Sequence, residues 1–100
     1  MSEVIYTIDK IKAIVKPIAD KYNVQSVYLF GSYARGEATE NSDLDFLVFG
    51  GEGFKLTNIF AFAEELRETF QRRVDVFEIS EINTESDFYS NIMNERLNVA

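Results

Sequence analysis

A chain of 100 residues with 17 acidic against 10 basic side chains carries a formal net charge of −7, which disfavours a long nucleic-acid footprint, whose affinity comes from neutralising phosphates. It has no cysteine and no histidine, which excludes disulfides, thiolate nucleophiles, zinc fingers, imidazole ligands and the Ser-His-Asp triad. That length suits one domain over residues 1–100 with one modest core, so a large acceptor is expected to come from outside it.

In chain order, "MSEVIYTIDK" is acidic where a signal peptide would be basic, and no apolar run approaches the ~20 residues of a membrane span. A cytoplasmic protein without membrane contact is the expectation. Ile8, Ile11, Val15 and Ile18 then recur at helical spacing behind Thr7, a suitable cap, and Pro17 is expected to kink this helix. "NVQSVYLF" switches to β-branched and aromatic residues and predicts a buried strand, with Val27 and Leu29 facing away from Tyr28 and Phe30.

"LDFLVF" predicts a second strand, and "GGEG" (Gly50–Gly53) a mobile loop. Ile59, Phe62, Ala63, Leu66 and Phe70 repeat with helical period behind Thr57, read as its cap. Arg72 and Arg73 follow as a charge pair complementing that helix's dipole. "RVDVFEI" alternates as a third strand, and Phe88, Tyr89, Ile92, Met93 and Leu97 give a last amphipathic helix. The order predicts an α+β fold: a small mixed sheet of about three strands with helices packed on it.

The stretch that folding alone does not explain is "LFGSYARGEATENSDLDFLVFG", Leu29–Gly50. Residues two apart on a strand share a face at about 6.5–7 Å, so Asp43 and Asp45 project together while Leu44 and Phe46 face the other way. Crowded carboxylates at an apolar sheet lose hydration and repel, a cost relieved by a proton, a cationic partner or a metal. A hard divalent ion such as Mg²⁺, which binds through carboxylates and substrate phosphates, fits that demand.

Gly31 and Ser32 end a strand just before "YAR", which predicts the start of a short helix whose free N–H groups favour an anion. Arg35 offers two parallel donors to a phosphate, and Asp75 in "VDVFE" adds a third carboxylate, enough for two metals. Taken singly, Gly-Ser is compatible with a plain turn, "SDLD" with a solvated loop and Asp75 with an edge-strand charge. Their conjunction points to phosphate chemistry.

"GSYARGEATENSDLDFLV" resembles the G-S-x-A-R-G … S-D-x-D signature of the minimal nucleotidyltransferases of the DNA polymerase beta superfamily, and "VDVFE" stands where that family places its third acidic strand residue. The resemblance is close from Tyr28 to Val48, and the short length is similar to the antitoxin members that accompany HEPN-domain toxins. It implies the nucleotidyltransferase fold, with Asp43, Asp45 and Asp75 catalytic and metal-holding, and Gly31, Ser32 and Arg35 on the nucleotide. It further implies ATP as substrate with Mg²⁺, two ions in all, and AMP transfer to a tyrosine of a partner toxin in a hetero-oligomer. Two other readings are a non-catalytic antitoxin that masks its partner and an adenylyltransferase for a small molecule such as an aminoglycoside.

Overall fold

The computed structural model describes residues 5–100. Helix α1 (Ile8–Lys21) begins as expected: Thr7 Oγ1 accepts the Lys10 N–H at 3.1 Å, satisfying a donor that the first turn leaves free. The helix continues through Pro17 to Lys21. Strand β1 (Ser26–Phe30) and strand β2 (Leu44–Phe49) follow, then α2 (Thr57–Phe70), β3 (Val74–Glu78), a 3₁₀ turn (Ile79–Glu81), α3 (Asp87–Glu95) and β4 (Leu97–Asn98).

Two expected boundaries are corrected. Thr57 is the first helical residue of α2, not its cap; Leu56 holds the cap position and makes no side-chain capping bond. The last helix stops at Glu95, and Leu97 belongs to β4, so the sheet has four strands where about three are expected from the sequence. Two residues cannot display a period, and β4 exists only through its pairing, Leu97 opposite Leu29 and Asn98 opposite Tyr28.

The sheet order is β3-β2-β1-β4, antiparallel throughout except for the parallel pair β2–β3. The crossover needed for that parallel pair is α2. Strand alternation divides the side chains between two faces. Val27, Leu29, Leu44, Phe46, Val48 and Val74 join α1 and α2 in the larger core, where Phe46, Phe62 and Phe70 are fully buried. Each such ring contributes about 1.5–3 kcal/mol of burial.

On the other face Phe30, Leu47 and Ile92 form a smaller core under α3, flanked by Phe77, Phe49 and Tyr28. Phe30, Phe77 and Phe88 stack there edge-on or tilted, with ring centroids 5.4–6.0 Å apart. Asp45 and Asp75 have the same strand parity as Leu47 and Phe77, so they lie on this second face, at the sheet end that α3 approaches with its last residue. No helix among the described residues is long and apolar enough to cross a membrane.

Candidate active site

The three predicted carboxylates meet at one sheet end. Parallel pairing sets Asp45 directly opposite Asp75, and Asp43 immediately precedes β2. Burial first, then the charges of Asp75 and Asp43, push the Asp45 carboxyl up to about 6 from its ordinary 3.8. The cluster therefore holds more negative charge than its surroundings neutralise.

One cation answers part of it. Arg73 Nε lies 3.7 Å from Asp43 Oδ2 and 3.7 Å from Asp75 Oδ1, with its own side chain 72% exposed. That corrects the expected role of the arginine pair. Helix α2 ends at Phe70 and its cap Gln71 is left-handed, so both arginines fall beyond the dipole's last turn, which Arg67 serves instead. Arg72 turns toward the other layer, donating to Tyr33 Oη at 2.8 Å and lying over the Tyr6 ring. Among the described residues no three carboxylates are drawn into a ligand cage.

The loop after β1 supplies the opposite charge. The expected short helix at "YAR" is only a turn, closed by the Arg35 N–H on the Gly31 carbonyl at 3.1 Å and the Glu37 N–H on Ser32 at 2.9 Å. Its anchor is Tyr33, 4% exposed in the larger core, whose hydroxyl also receives the Tyr6 N–H at 3.4 Å. Gly31 has φ +77°, and a Cβ there would run into the Asp45 carboxylate. Only glycine takes that conformation without strain and also lets the loop backbone lie against the carboxylate.

A residue without any sequence signal completes the site. The Gly31 N–H donates to Glu95 Oε1 at 2.9 Å, and Arg35 Nη1 reaches Glu95 Oε2 at 3.1 Å and Oε1 at 3.3 Å. Arg35 Nε meanwhile donates to Glu37 Oε1 at 2.9 Å. The hydrogen bonds that Arg35 donates to Glu37, then to Glu95, push its pKa up. Glu95 is 64 residues from Gly31, and nothing local marks it. Beside these groups opens a cleft of about 370 Å³ bounded by Phe30, Phe88, Asn91 and Ile92.

Carboxylates at strand ends facing a glycine turn and a guanidinium form an arrangement suited to phosphoryl chemistry. The family described as Polymerase beta, Nucleotidyltransferase matches residues 10–99. The chain belongs to that family. A relative from Methanocaldococcus jannaschii named "Putative protein adenylyltransferase MJ0435" is 41% identical over 76 residues, 76% of this nucleotidyltransferase and 82% of the relative. Protein adenylyltransferase MntA from Thermococcus cleftensis is 35% identical over 74 residues, covering 70% of this chain and 75% of the relative. Among solved structures, a chain of the tri-AMPylated Shewanella oneidensis HEPN toxin in complex with MNT antitoxin has a TM-score of 0.70 at 16% identity, covering 94% of this chain and 72% of that one. The likeness to that complex is one of fold; the nucleotidyltransferase assignment rests on the family match.

Proposed function

We propose that this nucleotidyltransferase moves AMP from ATP, with Mg²⁺, onto a tyrosine of a partner HEPN toxin and so acts as its antitoxin. The observation that carries the reading is the convergence of Asp43, Asp45 and Asp75 opposite the Gly31 turn. The names of the adenylyltransferase relatives and the AMPylated toxin in the structurally similar complex support the direction of transfer.

The residues suit the ion. Asp45 resists ionisation where it stands, and Arg73 already places a positive charge between two of the carboxylates, so a hard cation would find oxygen donors and relieve repulsion. Asp43, Asp45 and Asp75 would hold magnesium, two ions on the three carboxylates. Bound there, magnesium would offset the triphosphate's charge and make an acceptor hydroxyl more acidic.

The chain's own groups then divide the work. The Gly31 N–H, the Ser32 hydroxyl and Arg35 would bind the outer phosphates and fix the α-phosphorus in line with the acceptor. The acceptor hydroxyl gives its proton up to solvent as its oxygen bonds to the α-phosphorus, the bond to the oxygen bridging to the β-phosphorus breaks, and pyrophosphate departs against the same donors. Asp43 is 43% exposed and Asp75 33%, which leaves the acceptor side open to a side chain presented by another protein.

The test uses the chain, Mg²⁺, ATP labelled at the α or the γ phosphate, and a purified HEPN-domain partner. Label from the α position alone should appear on the partner, and Asp43→Asn or Asp45→Asn should reduce it by about 10³-fold or more with the fold intact by circular dichroism. Transfer of γ label, or near-normal labelling by either variant, would defeat the reading. Neutralisation of the partner without any label would favour masking, and label on an aminoglycoside a small-molecule acceptor.

A further inference from the structure

The geometry points to Glu95 as a built-in stand-in for phosphate, which occupies the anion-binding groups of the site and has to be displaced by the substrate's phosphates. The inference rests on the reading above that Gly31 and Arg35 bind phosphate. One carboxylate spans two unlike donors, a backbone N–H and a guanidinium, as two oxygens of a phosphate would. Its side chain is only 20% exposed, and while it is there the Gly31 N–H and Arg35 Nη1 are already engaged.

The placement is costly in its own right. Glu95 is the last residue of α3, where the helix dipole presents its negative end, and the guanidinium of the next residue, Arg96, donates to the Met93 carbonyl rather than to Glu95. It also adds to the negative field that raises Asp45. What holds it is therefore the pair of donors, and a ligand carrying more charge on those donors would release it. Since the following residue, Arg96, has an extended backbone, Glu95 sits at a helix end, where a side chain can swing away without unwinding a turn.

A consequence is selectivity for phosphate that arrives with its metal. Metal-free triphosphate meets Glu95 together with three aspartates in a chain of net charge −7, whereas its magnesium complex brings the compensating charge with it.

Isothermal titration of inorganic tripolyphosphate, with and without Mg²⁺, into the whole chain tests this without any transfer reaction. Glu95→Gln should bind about fivefold to tenfold tighter than the wild type, with the larger gain in the absence of Mg²⁺. Glu95→Ala should behave alike, and Asp9→Asn on α1 should change affinity less than about twofold, which separates displacement from a general loss of negative charge. In ¹H–¹⁵N spectra the Gly31 amide should shift on Glu95→Gln and again on adding tripolyphosphate. Equal, weaker or absent binding by both Glu95 variants would overturn the inference. A failed transfer assay alongside tighter binding would instead fault the adenylylation reading.

Discussion

Asp45 and Asp75 are register partners, set side by side across the parallel strands β2 and β3 with Asp43 two residues back along the chain. Strand pairing holds these carboxylates together whether or not anything neutralises them. Ionising Asp45 is harder in the fold, at about 6, than in the unfolded chain, near the ordinary 3.8. Below about pH 4 both states are protonated and the penalty vanishes; as pH rises through about 6 the folded state bears it in full. Discounted for solvent around a half-buried carboxylate, the stability lost over that window is roughly 1–2 kcal/mol. Asp45→Asn should therefore melt several degrees above wild type at pH 7.5 without divalent ions and coincide with it near pH 4. Thermal melts across that range give the answer, and a constant offset at every pH would contradict it.

Gly31→Ala places a methyl group against the Asp45 carboxylate at a φ of +77°. The left-handed backbone alone costs about 1–2 kcal/mol, and the collision adds to it. In a double-mutant cycle with Asp45→Ala, the collision should disappear while the backbone cost stays, giving a coupling of at least about 0.5 kcal/mol by urea denaturation. Strict additivity would mean that the two residues do not meet.

Tyr33→Phe keeps the buried ring but removes the hydroxyl that receives both the Arg72 guanidinium and the Tyr6 N–H. Expected destabilisation is about 0.5–1.5 kcal/mol, with unchanged near-ultraviolet signals from the other aromatics. A loss well above that range would show that the ring itself had moved.

Arg73→Gln should leave the melting temperature nearly unchanged, because an ion pair with a side chain 72% exposed adds little. Affinity for Mn²⁺ alone, followed by electron paramagnetic resonance, should instead rise severalfold, since a competing cation has left the carboxylates. Weaker Mn²⁺ binding would mean that Arg73 supports the ion rather than standing in for it.

Much of this arrangement is legible in the sequence because it follows local rules. Alternation in "LDFLVF" and "VDVFE" assigns Asp45 and Asp75 to one face, and helical spacing of Ile11, Val15, Phe62 and Leu66 locates the packing layer behind it. Glu95 and β4 carry no local signal for one reason: each is defined by partners across the fold, Glu95 by Gly31 and Arg35, Leu97 by Leu29. Arg73 lies off the α2 dipole because the helix stops earlier than a charge pair at its end suggests. The turn after Gly31 makes one i to i+4 bond of the helical kind, and that bond is not propagated.

Consecutive arginines that serve opposite sides of the sheet make the link from α2 to β3 a spacing device. Arg72 reaches Tyr33 behind the sheet and Arg73 reaches the aspartates in front of it. Inserting or deleting one residue between Phe70 and Val74 would reverse every side chain that follows if the strand kept its place. Asp75 would then point into the layer that now holds Val74 and Phe70, and a valine would take its place beside Asp45. Tolerance of length changes should thus be lowest in this short link, and a deletion scan along the chain would find its sharpest minimum there.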